Sequence, residues 1–178
     1  MNKKENGITL ITLVVTIVVM LILAGITVKL GKSAIKNANL EEMKTNMLLI
    51  QTKAKEYVEN ANFDLGVKPD EATDEMKAKA KSELTGEDKG EQISSNDSIV
   101  SQLTIMGINP DDITNGNVYK LTTENLNNMG IKKVESNEEN GWYVIVYNIS
   151  EVSAEIYNTK GFDNRYSLTD IEQIELQD

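Results

Sequence analysis

The feature that most constrains this chain is an apolar run without charges near its start, from Ile8 to Val28. As an α-helix, a segment of this length would extend about 31 Å, which matches the hydrocarbon core of a bilayer. Hydrocarbon offers the backbone no hydrogen-bond partners, so a helix is the state that satisfies every N–H and C=O group within the segment. We therefore predict a membrane-spanning helix over residues 8–28.

Positive charges flank the run on both sides. Lys3 and Lys4 precede it, and Lys29, Lys32 and Lys36 follow it. Because cytoplasmic flanks carry an excess of Lys and Arg, this near balance gives little information on orientation. The short head before the run favours retention of that end inside. We predict a single-pass protein of the cell membrane with its C-terminus outside.

Two alternatives to a specialised membrane helix are open. A secretory signal has an apolar stretch of about 7–15 residues followed by a small-residue cleavage site. Here the run is longer, and the small pair Ala24 and Gly25 follows Ile22 and Leu23 instead of another small residue. The other alternative is an uncleaved single-pass protein that displays a small acidic binding domain outside the cell.

Composition excludes several classes of function. The chain carries 18 Lys and Arg against 28 Asp and Glu, a net charge of −10, and has no His and no Cys. Phosphate backbones require clustered cations, so nucleic acid is not the expected ligand. Disulfides, thiolate metal sites and the common His- or Cys-based catalytic systems are also excluded. We predict that the chain is not an enzyme.

The helical pattern continues beyond the apolar run. Apolar residues recur at alternating spacings of three and four, with charged residues between them, which is typical of one buried helix face. The members of this stripe are Leu40, Met43, Met47, Ile50, Ala54, Tyr57 and Ala61. We predict an amphipathic continuation of the helix over residues 29–62, packed by its stripe against a globular domain.

The remaining residues, 63–178, predict a small α+β domain outside the membrane. Residues 68–96 form a charged segment, expected to be flexible, with a short exposed helix that starts near Pro69. Successive side chains of residues 142–150 point to opposite faces, and both faces are largely apolar, as in a central strand. Residues 152–162 are predicted to form the next strand. Residues 131–135 are a further candidate strand. The economical arrangement is an antiparallel sheet with one face on the helix stripe.

Short helices are expected between and after these strands. We predict N-caps at Asp97, at Thr122 or Thr123, and at Thr169 with Glu172 as its capping-box partner. Gly107 and Gly130 are expected to end the first two of these helices. The fold class is thus α+β, with a long N-terminal helix packed against a small C-terminal antiparallel sheet and short helices.

A segment rich in Asp and Asn is a candidate calcium site. Asp111, Asp112 and Asn115 lie between Asn109 and Asn117, and all five offer the hard oxygen ligands that Ca²⁺ prefers. The spacing is not that of an EF-hand, and such residues are also ordinary in turns. Calcium is the one cofactor that the sequence suggests, and otherwise none is expected.

The start of the chain, KKENGITLITLVVTIVVMLILAGI, resembles the leader of type IV prepilins and pseudopilins, especially the clostridial kind. The resemblance implies a leader of residues 1–7 that prepilin peptidase removes by cutting after Gly7. Ile8 would then be the new, N-methylated terminus of an assembly helix. The residues that would follow it in that helix are Thr9, Leu10, Ile11, Thr12 and Leu13.

In that family, subunits leave the membrane and join a helical filament through their N-terminal helices. The implied partners are other copies of the chain or fellow pilins, prepilin peptidase, the membrane, and an assembly ATPase with its platform protein. The implied location is the membrane and then a cell-surface filament, here of a Gram-positive envelope. Thr12 stands where the family has a glutamate. This leaves open a minor or initiating subunit, or a filament that tolerates an uncharged helix bundle.

Overall fold

The computed structural model describes residues 10–176, with side chains described for 14–21 and 33–176. The helices are α1 Leu10–Phe63, α2 Asp74–Ser82, α3 Val100–Ile105, α4 Pro110–Thr114, α5 Thr123–Asn128 and α6 Leu168–Glu172. The strands are β1 Glu91–Gln92, β2 Val118–Leu121, β3 Tyr143–Asn148, β4 Ser153–Phe162 and β5 Arg165–Ser167. The chain divides into two units: one contains the residues up to Asn39 together with those from Leu176, and the other comprises Leu40–Glu175.

The strands form one antiparallel sheet in chain order, β1-β2-β3-β4-β5, with β3 at its centre. On β3, Tyr143 pairs with Asn158 and Ile145 with Ile156. Both faces of β3 are buried, as the apolar alternation of residues 142–150 predicts. The class α+β with a small antiparallel sheet is therefore confirmed.

The predicted strand at residues 131–135 is wrong. No strand occurs there among the described residues. The N–H of Ile131 instead donates to the carbonyl of Leu126 (2.9 Å), which closes the end of α5. Lys133 then adopts a φ of +69°, outside the extended region that a strand requires. Ile131 and Val134 are nevertheless buried, in the same core cluster as Leu126 of α5.

One face of the sheet packs against the second half of α1. Met47, Ile50 and Ala54 are fully buried and belong to the same core cluster as Ile145 and Ile156. The predicted stripe is confirmed, since all its members are buried or partly buried, and Val58 joins it. Fully burying one such apolar side chain contributes about 1.5–3 kcal/mol. This cluster is the larger of the two cores, and we call it the α1 core.

The other face of the sheet carries a second core, formed with α3 and α4. Val118, Val144 and Val146 of the sheet are buried with Leu103 of α3 and Ile113 of α4. The two helices contain only six and five residues. Helices this short are not stable alone, so their structure depends on this packing. We call this cluster the α3–α4 core.

The predicted helix caps are partly right. Thr122 caps α5 and forms a capping box with Asn125. Asp97 does not cap α3, whose N-cap is Ile99; the Asp97 carboxylate accepts a hydrogen bond from the Ser94 N–H (2.7 Å) in the preceding turn. Thr169 is also wrong, because α6 begins earlier and Ser167 is its cap.

The helix ends agree better with the sequence. Gly107 and Gly130 follow α3 and α5 with φ of +97° and +85°, the left-handed conformation that suits glycine after a helix. α1 ends at Phe63, one residue beyond the predicted boundary at 62.

Within the charged segment of residues 68–96, the helix begins later than predicted. Pro69 lies in a turn, and α2 starts at Asp74 with Thr73 as its N-cap. Ala80 and Leu84 are buried in the α1 core. The predicted flexibility of this segment is not tested by these observations and stays a prediction.

A polar cluster joins the loop before β1 to α1 and the sheet. Asp88 and Lys89 form an ion pair (3.0 Å), and the Lys89 ammonium lies 4.8 Å from the centre of the Tyr57 ring. The Tyr147 hydroxyl donates to the Lys89 carbonyl (3.2 Å), and the Tyr147 ring packs edge-on against Tyr119. The cluster holds this loop at the margin of the α1 core, where apolar packing ends.

Candidate assembly surface on the N-terminal helix

The first described side chains of α1 form an exposed apolar segment. Seven large apolar residues between positions 14 and 21 have exposed fractions between 47 % and 70 %. They are Val14, Val15, Ile17, Val18, Val19, Met20 and Leu21. These residues point to every side of the helix because they are nearly consecutive in sequence. A helix that is apolar all round belongs in a membrane or inside a bundle of helices.

The residues that the sequence marks for processing and assembly lie at or beyond the edge of the described structure. Gly7, Ile8 and Thr9 lie outside the described residues. Leu10 to Leu13, including Thr12, are helical in α1, but their side chains are not among those described. Over residues 14–21 and 33–176, whose side chains are described, no helix is long and apolar enough to cross a membrane.

The second half of α1 has two different faces. Its inner face is the buried stripe, illustrated by Ile50, which is 0 % exposed. Its outer face carries Leu48 and Leu49, which are 51 % and 50 % exposed. A helix that only covered a sheet would need no leucines on its outer face, although single exposed apolar residues are common.

Two threonines enlarge this outer apolar face. The hydroxyl of Thr45 donates to the carbonyl of Glu41 (2.8 Å), and that of Thr52 to the carbonyl of Leu48 (2.8 Å). Because each hydroxyl is bonded to its own helix, the threonine methyl groups remain to face outward with Leu48 and Leu49. We call Thr45, Leu48, Leu49 and Thr52 the outer strip.

Charged pairs follow the outer strip toward the end of α1. Lys53 pairs with Glu56 (2.7 Å) and Lys55 with Glu59 (3.8 Å), at spacings of three and four residues. Such exposed pairs contribute only about 0.3–0.5 kcal/mol each. They compensate each other's charge, so this part of the helix adds little to the net charge of −10.

Electrostatics at the inner face concentrate on Tyr57. Burial raises the pKa of Tyr57 to about 12, and the charges of Asp88 and Glu56 contribute to the increase. For Asp88, burial alone would raise the pKa, but the hydrogen bond and charge of Lys89 outweigh it and hold the pKa below its usual value. At neutral pH the Tyr57 phenol is therefore neutral and lies beside the Asp88–Lys89 ion pair. This arrangement suits a structural contact between the loop and α1 better than proton transfer.

Several residues of the candidate calcium segment take part in turns and helix caps. The Asn109 side chain caps α4 by accepting from the Asp111 N–H (3.0 Å), and Asp112 accepts from the Asn117 amide (3.1 Å). Asn115 is the C-cap of α4. In the part of the chain that the structure describes, no three Asp, Glu, His or Cys side chains are grouped to hold a metal. A calcium site here stays a prediction.

Sequence reasoning missed the outer strip. The signal was present in the run Met47-Leu48-Leu49-Ile50, where four consecutive apolar residues exceed what one stripe requires. Met47 and Ile50 belong to the buried stripe, and the two leucines between them do not fit its spacing. The structure separates the four residues into two buried and two exposed.

Comparison with models of known protein families, with curated proteins and with solved structures finds no match to this chain.

Proposed function

We propose that this chain is a structural subunit of a type IV pilus or of a pseudopilus of the type II secretion kind. It is inserted in the membrane by residues 8–28 with its C-terminus outside. Prepilin peptidase cuts it after Gly7, and the subunit then joins a cell-surface filament through its N-terminal helix. The proposal assigns it no catalytic activity.

The observation that carries the proposal is the difference in exposure between the two parts of α1. Residues 14–21 are apolar on every side, whereas the second half buries one stripe in the α1 core. The exposed apolar side chains of residues 14–21 are therefore suited to contact lipid or a bundle of similar helices. The apolar run that contains this segment directly follows Gly7, and together they resemble the start of a prepilin.

This difference also suggests how assembly is driven. Lipid tails are as apolar as the side chains of Val14 and Leu21, so exchange of lipid for neighbouring helices has little hydrophobic driving force. Energy must then come from elsewhere, in keeping with the assembly ATPase and platform protein that the family uses. The outer strip gives the second half of α1 an exposed apolar surface of its own for neighbouring subunits.

Thr12 determines which kind of subunit or filament we propose. A glutamate at that position would offer a carboxylate to the terminal amine of a neighbouring subunit, and threonine cannot. We therefore favour a minor or initiating subunit, or a filament whose helix bundle is uncharged at this level. The proposed partners remain other copies of the chain or fellow pilins.

The mature mass of the protein tests the proposal. Protein extracted from native membranes is measured intact by mass spectrometry, with the expected result that Ile8 is the first residue and carries a methyl group. The variant Gly7→Val should retain the leader because the residue before the cut is no longer small. The matched variant Asn6→Ala changes the neighbouring residue and should still be cleaved.

A wild-type protein that retains Met1 would overturn the proposal. The chain would then be the uncleaved single-pass protein that displays an acidic domain. Cleavage at Ala24 or Gly25 would contradict it as well, because the apolar segment would be lost from the mature protein.

A further inference from the structure

A groove of about 500 Å³ lies at one end of the sheet face that carries the α3–α4 core. The short helices cover Val144 and Val146 on this face, and Gln102 of α3 borders the groove. At that end, Trp142 is only partly buried and forms the apolar floor of the groove together with Ile99. The rest of the lining is polar and includes Gln102, Glu138, Glu139 and Lys160.

Trp142 is held in place by the sheet and by a lysine. Its backbone N–H donates to the hydroxyl of Thr159 (2.8 Å), and its backbone carbonyl accepts from the Thr159 backbone N–H (2.9 Å). The Lys120 ammonium lies 4.9 Å from the centre of the indole ring and pairs with Glu91 (3.2 Å). The ammonium therefore covers one face of the ring, and Lys120 is not among the residues that line the groove.

The polar rim offers both donors and acceptors. The Gln102 amide N–H donates to the Thr159 carbonyl (3.2 Å), which leaves its amide oxygen as an acceptor. The Lys160 ammonium donates one bond to the Glu139 carbonyl (2.9 Å) and has further N–H groups. Among the described residues, no hydrogen bond or ion pair satisfies the Glu138 and Glu139 carboxylates or the Trp142 indole N–H.

These features narrow the class of ligand. Two carboxylates against one lysine disfavour a phosphate or any other anion. A purely apolar ligand would have to desolvate three charged groups without pairing them. The groove therefore favours a neutral ligand that has both an apolar face and polar groups. A hexose ring is such a ligand, because one of its faces presents C–H groups to an aromatic ring while its hydroxyls donate and accept at the rim.

We propose that the Trp142 groove binds a neutral saccharide, with one sugar face on the indole and its hydroxyls bonded to Glu138, Glu139 and Lys160. This binding activity goes beyond the structural role proposed above and does not depend on it. A subunit with this groove would attach to glycans as well as build a filament.

The single Trp of the chain makes the groove directly observable. The full chain is kept in a polyoxyethylene detergent, which has no sugar head group, and is titrated with chitotetraose, cellotetraose and maltotetraose. We expect a saturable change in Trp142 emission with at least one of them and a Kd of about 1 mM. A response to chitotetraose alone would identify N-acetylated glycans as the ligand, and a response to the other two would identify unsubstituted glucans.

Variants of the rim distinguish binding in the groove from adventitious effects. Glu138→Gln combined with Glu139→Gln should weaken binding about tenfold, because the amide oxygen of Gln still accepts but without the charge that strengthens the bond. Trp142→Phe should keep weaker binding, measured by calorimetry. The control Glu59→Gln, on the exposed surface of α1, should bind as the wild type does.

No saturable response to any of the three saccharides up to about 20 mM, well above the expected Kd, would overturn the proposal. A response that persists unchanged in the double Glu138 and Glu139 variant would overturn it too. Neither result would affect the mature-mass test of the filament proposal.

Discussion

The two faces of the sheet are covered in different ways. One face lies against the second half of α1, a single helix whose stripe supplies Met47, Ile50 and Ala54 to the α1 core. The other face is covered by α3 and α4, which together have 11 residues and leave the end near Trp142 open. The same sheet thus has one face closed by a long element and one face closed in part by short ones.

This difference teaches where the domain is rigid and where it can open. A stripe on one continuous helix keeps its neighbours in place when one contact is lost. α3 and α4 have no such support, because short helices derive their stability from packing alone. We expect local opening to start on the α3–α4 face, where the candidate binding groove also lies.

The largest expected effect is in the α1 core. Ile50→Ala removes a fully buried side chain and leaves a cavity between α1 and the sheet, which should lower the free energy of unfolding by about 2–5 kcal/mol. Urea unfolding of the full chain, followed by circular dichroism, measures the loss.

The neighbouring residue supplies a matched control for this prediction. Leu49→Ala removes a side chain of the same size from the outer strip and should change stability by only about 0.5 kcal/mol. If Leu49→Ala destabilises the domain as much as Ile50→Ala does, the distinction between an inner and an outer face of α1 is wrong.

A smaller effect is expected on the other face. Leu103→Ala opens a cavity in the α3–α4 core, but local opening of the two helices limits the loss to about 2 kcal/mol, the low end for such a change. Amide hydrogen exchange should accelerate in α3 and α4 and remain slow in β3 and β4. Equal acceleration in the strands would show that both faces open together and would remove the contrast between them.

Regular spacing explains what could be predicted of these two faces. The stripe from Leu40 to Ala61 and the alternation along β3 extend over many residues, so each predicts its element and its buried face. Residues 131–135 have the composition of a strand, but closure of α5 and the left-handed Lys133 decide their conformation. Such short segments follow their tertiary surroundings.

The sites were harder to predict than the elements, for a physical reason. Trp142, Gln102 and Lys160 come from three separate segments. The pairing of β3 with β4 brings Trp142 and Lys160 together, and the position of α3 adds Gln102. No local sequence pattern predicts that these residues lie close together. The outer strip is different, since Leu48 and Leu49 could have been found from the surplus of apolar residues between Met47 and Ile50.

The smallest expected effect concerns the ion pair at the margin of the α1 core. Lys89 holds the pKa of Asp88 below its usual value, so the ionised carboxylate stabilises the fold above the ordinary pKa of 3.8. That stabilisation is lost as the pH falls through the lowered pKa. Asp88→Asn should therefore destabilise the domain by no more than about 1 kcal/mol at pH 7, because the pair is partly exposed.

The pH dependence separates this mechanism from a loss of packing. As the pH falls below 3.8, toward and through the lowered pKa of Asp88, the difference in urea midpoint between wild type and Asp88→Asn should shrink. The variant should also lower the pKa of Tyr57 from about 12, measured by phenolate absorbance, yet leave it above 10.0 because burial is the main cause of the shift. Glu87→Gln, at the exposed neighbouring position, should change neither quantity. A difference between wild type and Asp88→Asn that does not shrink as the pH falls would mean that Asp88 anchors the loop by its shape and not by its charge.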